Sequence, residues 1–181
     1  MTLLETFPTK TGITVRVRYL EPEDVPLLVD IFEHMGDESR YRRFNQPLER
    51  VTTERVWTEA ENIAQAVMTN SRGLIAFADL ADQPNAPVAA ARYVLIGNDE
   101  AEVALSVRDD MQGQGIGKRM FQLLIEEARR AGLQRLVGSV QNENAAVWGL
   151  LRHVNLPIEH IPDGAVTEIV IQLGPVSHPD G

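Results

Sequence analysis

The chain has 181 residues, 26 acidic against 17 basic side chains for a net charge of −9, and no cysteine. That length gives one domain with a sizeable core, and the missing thiols exclude disulfides and thiolate metal sites. The negative balance disfavours nucleic acid as a partner and suits a cationic one.

The N-terminus carries Glu5 and no long apolar run, so neither a signal peptide nor a spanning helix is expected; the reading is a cytoplasmic protein without a membrane partner. Residues 13–20 alternate Val15 and Val17 with Arg16 and Arg18, the pattern of a half-buried strand. Pro22 opens a helix with Leu28, Ile31, Phe32 and Met35 on one stripe and Gly36 at its end. A second helical segment runs through Tyr41 to Phe44, and a third from Thr53 to Thr69. Residues 74–80 and 88–96 are apolar runs separated by Asp82-Gln83-Pro84-Asn85-Ala86-Pro87, a hairpin by turn composition.

A strand over residues 101–107 leads into a glycine-rich turn and then a helix. Met120, Phe121, Leu124, Ile125 and Ala128 make the apolar face of that helix, Glu126 and Arg130 pair on the other, and Gly132 caps its end. A short buried strand at 136–140, a helix at 144–154 and a strand pair at 158–173 around Asp163-Gly164 complete an α/β chain with a mixed sheet. Residues 1–174 form the domain, and 175–181 read as a disordered tail. Trp57 and Trp148 read as core. His34, His153, His160 and His178 show no metal-ligand spacing, so no metal is expected.

The glycine-rich turn, Gln112-Gly113-Gln114-Gly115-Ile116-Gly117-Lys118-Arg119, carries the chemistry. Glycines let the backbone turn tightly, and the helix start offers unpaired N–H groups and the positive end of its dipole. Lys118 and Arg119 stand in a first turn that ordinarily favours acids, so the turn is an anion site and the expected anion a phosphate. A Walker loop requires a glycine where Gln112 stands and a Ser or Thr where Arg119 stands. A dinucleotide fingerprint requires a glycine where Lys118 stands. Gln112-x-x-Gly115-x-Gly117 does fit, and it resembles the pyrophosphate-binding signature of the GNAT superfamily of acyl-CoA-dependent N-acyltransferases.

The resemblance spans roughly residues 13–174. Residues 101–107 are similar to that family's central strand, 141–146 to a segment in which an asparagine starts a helix beside the CoA arm, and 15–24 to its opening strand and helix. Glu38-Ser39-Arg40-Tyr41-Arg42-Arg43-Phe44 is similar to a segment of the bacterial protein-lysine acetyltransferase branch. The resemblance implies a mixed, mostly antiparallel central sheet flanked by helices, with acetyl-CoA as cosubstrate and no metal. It implies an acceptor that is a primary amine, either a protein lysine or a small molecule. Homodimers are common among such relatives.

Acetyl transfer to an amine requires a held cosubstrate, a polarised carbonyl, a deprotonated ammonium and a released thiolate. The resemblance gives Gln112, Gly113, Gln114, Gly115, Ile116, Gly117, Lys118 and Arg119 to the cosubstrate's phosphates. Leu105 and Val107 lie on the strand beside its arm, with a backbone N–H near Leu105 polarising the carbonyl. Glu102 stands ten residues before the motif glutamine, where protein-lysine acetyltransferases place a catalytic base. By strand alternation Glu102, Ala104 and Ser106 share one side and Val103, Leu105 and Val107 the other. A substrate amine has a pKa near 10 and loses a proton before attack, so a carboxylate there is useful; the bland reading is a solvent-exposed strand acid. Asn144 is either a contact to the CoA arm or the N-cap of its own helix. Tyr41–Phe44 shape the acceptor pocket or lie on the surface. Many relatives place a tyrosine acid seven residues after that asparagine, and this chain has Leu151. That departure leaves an alternative: an acyl-CoA-binding sensor without turnover. A nucleotide-binding protein using the same loop is a third reading, opposed by the missing Ser or Thr.

Overall fold

The computed structural model describes residues 2–44 and 52–174, with the backbone alone for 41–44. Eight strands make one sheet: β1 (Glu5–Pro8), β2 (Thr14–Tyr19), β3 (Ser71–Ala78), β4 (Ala86–Leu95), β5 (Glu100–Val107), β6 (Arg135–Gln141), β7 (Ile158–Asp163) and β8 (Val166–Gln172). Their order is β1-β2-β3-β4-β5-β6-β8-β7, and every neighbouring pair is antiparallel except β5 with β6. The helices are α1 (Val25–Glu33), α2 (Asp37–Phe44), α3 (Thr53–Ala66), α4 (Ile116–Arg130) and α5 (Ala145–Leu151). The mostly antiparallel sheet flanked by helices is the architecture expected from the sequence.

Two cores cover the two faces of the sheet. On one, Leu28, Ile31 and Phe32 of α1 and Val56, Ala60 and Ile63 of α3 pack on Ile75 and Phe77. On the other, Ile116, Met120, Phe121 and Leu124 of α4 pack on Val15, Leu74, Leu136 and Ile171. Successive residues of β3 thus serve opposite cores, which is why that strand reads as a continuous apolar run.

Strand β1 has no counterpart in the sequence reading. Four residues ending in proline carry too little pattern to stand out, and their place depends on pairing with β2, Glu5 opposite Val17 and Pro8 opposite Thr14. The predicted hairpin after β3 forms with Asn85 at φ +53°, a left-handed conformation that asparagine tolerates. Gly132 closes α4 at φ +81°, its N–H on the Arg129 carbonyl. Trp57 departs from its expected core position: it is 41% exposed on α3, because Val56, Ala60 and Ile63 take that helix's buried stripe. Trp148 is half-buried, its ring stacked on His160 at 5.6 Å. The tail at 175–181 and the side chains of Tyr41–Phe44 lie outside the described residues. Among the described residues no helix is long and apolar enough to cross a membrane.

Candidate active site

The site begins where the two parallel strands part. β5 pairs with β6 at Glu100↔Arg135, Ala101↔Leu136 and Glu102↔Val137, and among the described residues the pairing stops there. On its other edge β5 follows β4 to Val107, and β6 follows β8 to Gln141. Both partners thus continue outward while the strands between them separate.

Strand alternation gives the direction of the freed backbone. The Arg108 N–H donates to Val88 and the Glu100 carbonyl accepts from Ile96 and Gly97, all on the β4 side. The Asp99 carbonyl accepts from Gln134 and Arg135 on the β6 side. Odd-numbered residues of β5 therefore direct their backbone groups toward β6. Beyond Glu102 these are Val103, Leu105 and Val107, so the Leu105 N–H points into the opening.

The glycine loop sits at the open end. After the short helical turn Asp109–Met111, Gly113 and Gly115 take φ of +73° and +88°, and α4 starts at Ile116. A Cβ at either glycine meets nothing within 4 Å among the described residues, so what excludes other residues is backbone conformation rather than space. Gly115 is the N-cap of α4 and brings no side-chain cap; the first intrahelical bond runs from the Arg119 N–H to its carbonyl at 3.1 Å. The N–H groups of Ile116, Gly117 and Lys118 precede that bond and have no helical acceptor. A Cβ on Gly117 would stand 3.5 Å from Leu105 and from Val107, which measures how closely the helix tip meets β5.

Two brackets hold the loop. Asp109 accepts from the Gly36 N–H at 2.8 Å and from Gln112 Nε2 at 3.0 Å, while its own N–H donates to the His34 carbonyl at 3.1 Å. The carboxylate lies 2.7 Å from where a Cβ of Gly36 would be, so Gly36 serves this close approach rather than ending α1. Gln112 Nε2 also reaches the Val107 carbonyl at 3.3 Å. From the other side the turn between β1 and β2 leans in: the Lys10 N–H donates to the Gln114 carbonyl at 3.2 Å, and Thr11 Oγ1 to Gln114 Oε1 at 3.0 Å. Just before the loop, buried Arg108 donates to Asp110 at 3.0 and 2.8 Å, and these bonds hold the Asp110 carboxyl below the usual carboxylate range.

The two cations of the motif differ. Lys118 is exposed on the first turn of α4. Arg119 is engaged elsewhere: its Nε and Nη2 donate to Glu5 at 2.6 and 2.5 Å, and this pairing raises the guanidinium above its ordinary value. Glu5 belongs to the strand that the sequence reading did not contain.

The two sides of β5 separate as expected. Leu105 and Val107 face α4, whereas Ala104 and Ser106 line a recess with Leu20, Leu28, Phe32 and Ile63 of the opposite core. Glu102 is exposed on that second side, where the strands begin to part. Arg92 of β4, directly opposite Ala104, lines the same recess. Burial lowers the Arg92 guanidinium, against the charges of Glu59 and Glu102, which raise it. Sequence reasoning passed over Arg92, although a lone charge inside the apolar run of β4 was a visible signal. Asn144 caps α5, its Oδ1 accepting from the Val147 N–H at 3.3 Å. Leu151, at the place of the absent tyrosine, is 4% exposed in the α4-side core.

Parallel strands that part beside a helix start with unpaired N–H groups give the scaffold of an acyltransferase. Residues 32–155 match the model of the Acetyltransferase (GNAT) family, and the chain belongs to that family. An L-methionine sulfoximine/L-methionine sulfone acetyltransferase of Pseudomonas aeruginosa is 42% identical over 57 residues, 32% of this chain and 33% of that protein. The chain thus spans about a third of the length of the first curated relatives that it matches. The GNAT domain of S. lividans PAT superposes with a TM-score of 0.77 at 24% identity, over 93% of this chain and 96% of that one. The structure of yncA from Salmonella typhimurium with its cofactor acetyl-CoA superposes with a TM-score of 0.64 at 19% identity, over 92% and 98%.

Proposed function

We propose that the chain is an N-acetyltransferase that moves acetyl from acetyl-CoA to a primary amine, a protein lysine or a small molecule, by direct attack in a ternary complex. The observation that carries this reading is the parting of β5 and β6 beyond Glu102 above the glycine loop. The loop suits a pyrophosphate: left-handed glycines leave it open, and the N–H groups of Ile116, Gly117 and Lys118 lack helical acceptors. Family membership supports the activity, as do the acetyl-CoA of the Salmonella typhimurium neighbour and the small amine named for the Pseudomonas relatives.

Acetyl-CoA supplies an activated thioester carbonyl and a thiolate leaving group. The loop from Gln112 to Lys118 holds the pyrophosphate, and Leu105 and Val107 flank the arm. The Leu105 N–H donates to the carbonyl oxygen as negative charge grows there, a contribution of about 3–4 kcal/mol when the donor is preorganised. Glu102 takes the ammonium proton, directly or through water. A thiol pKa of about 8.5 makes the thiolate a tolerable leaving group, so solvent supplies its proton in place of the tyrosine that Leu151 replaces.

The Glu102→Gln variant tests the assignment. Acetyl-CoA-dependent CoA release at neutral pH is expected to fall by about 10²-fold or more, with acetyl-CoA affinity unchanged. Near-normal turnover refutes Glu102 as base. The burial of Leu151 favours one rival, an acyl-CoA sensor without turnover. Tight acetyl-CoA binding with no CoA release across a broad amine panel selects that rival.

A further inference from the structure

Arg92 has no part in the reaction just described, yet its surroundings give it one. It is the single charge between Val88 and Leu95, and its side chain is 20% exposed. Among the described residues its Nε is buried without a hydrogen-bond partner. The carboxylate of Glu59 stands 3.7 Å from Nη2, an ion pair beyond hydrogen-bonding reach. A buried donor left unmade is costly, and arginine does not escape the cost by losing its charge. Its planar fork matches a carboxylate through two parallel bonds.

Position turns this orphan into a recognition element. Arg92 faces Ala104 across the β4–β5 ladder and Glu102 lies two residues along, so both project from the same face of the sheet at diagonal places. Such neighbours stand roughly 7–8 Å apart at their Cα atoms. A base and a guanidinium projecting from neighbouring places on one face of the sheet suit a small zwitterion, its ammonium toward Glu102 and its carboxylate toward Arg92. The apolar lining of the recess, Leu20, Leu28, Phe32 and Ile63, lowers the local dielectric and strengthens the ionic contact. A lysine side chain within a protein brings no carboxylate at a fixed short distance from its amine.

We propose that Arg92 binds the carboxylate of the acceptor, so that the acceptor is a free amino acid or a close analogue. The proposal rests on the acetyl-transfer reading and narrows it. Acetyl-CoA-dependent CoA release is measured for the common L-amino acids, their carboxamides and carboxylate-free alkylamines, with the wild type, Arg92→Gln and Arg92→Lys. Acetyl-CoA affinity is measured by calorimetry for each protein. The wild type is expected to prefer an acid over its amide by about 10- to 100-fold in kcat/KM, chiefly through KM. Arg92→Gln removes that preference, Arg92→Lys keeps part of it, and acetyl-CoA affinity stays unchanged in both. Equal turnover of acids and amides by the wild type overturns the proposal whether or not the variants fold. An equal loss for acids and amides in Arg92→Gln overturns it too, because a structural role would act on both alike. Turnover of alkylamines without any acid preference leaves acetyl transfer standing and removes only the carboxylate anchor. Acetyl-CoA binding with no amine turned over removes both.

Discussion

At the scale of single residues, the loop glycines divide by what each does. Gly115 has φ +88° with open space around it, whereas Gly117 has ordinary backbone and contacts at 3.5 Å. A side chain at Gly115 therefore carries left-handed strain of about 1 kcal/mol or more, and one at Gly117 does not. Gly115→Ala is expected to lower Tm by about 2–4 °C per kcal/mol lost and to weaken acetyl-CoA binding, while Gly117→Ala keeps Tm close to wild type. Thermal unfolding of the two variants checks this, and equal losses contradict it. The loop was legible in the sequence because its signature lies in residue identity and spacing. Arg92 and Asp109 were not: one acquires its meaning from lying opposite Ala104, the other from Gly36, distant in the chain.

At the scale of elements, the segment between β5 and α4 is fastened by charge. Arg108 donates twice to Asp110 and once to Gln83, whose amide reaches Asp30 of α1. The folded Asp110 carboxyl titrates below its unfolded value because of Arg108. Its contribution to stability is therefore complete above the unfolded value, about pH 4, and is lost as pH falls through the lower folded one. Denaturant unfolding of wild type and Asp110→Asn is expected to show a gap at pH 7 that shrinks below about pH 4. A gap independent of pH contradicts the assignment. Helix α4 was legible from its periodicity, since its apolar face is wide and its glycine cap local. Strand β1 was not, because four residues express their fold only through β2 and through the Glu5–Arg119 pair. That pair also separates two cations that looked equivalent in sequence, leaving Lys118 exposed at the loop.

At the scale of the whole molecule, the proposed function rests on a sheet covered on both faces and opened along one seam. The α4-side core positions the glycine loop, and the α1/α3-side core underlies the recess that Arg92 lines, with Glu102 exposed on the same side of β5. In the proposed reaction, the seam between β5 and β6 lets an arm lying on one side present its carbonyl to an amine arriving from the other. The sequence announced the mixed sheet and the loop but not where the strands part, because register is a property of two strands together. The net charge of −9 is compatible with an ammonium-bearing acceptor, and the recess adds one half-buried arginine to that acidic background. Calorimetric titration of the protein with acetyl-CoA, beside ATP, tests the central claim most directly. Micromolar binding of acetyl-CoA with no binding of ATP is the predicted result; absence of acetyl-CoA binding, or preference for ATP, contradicts the account.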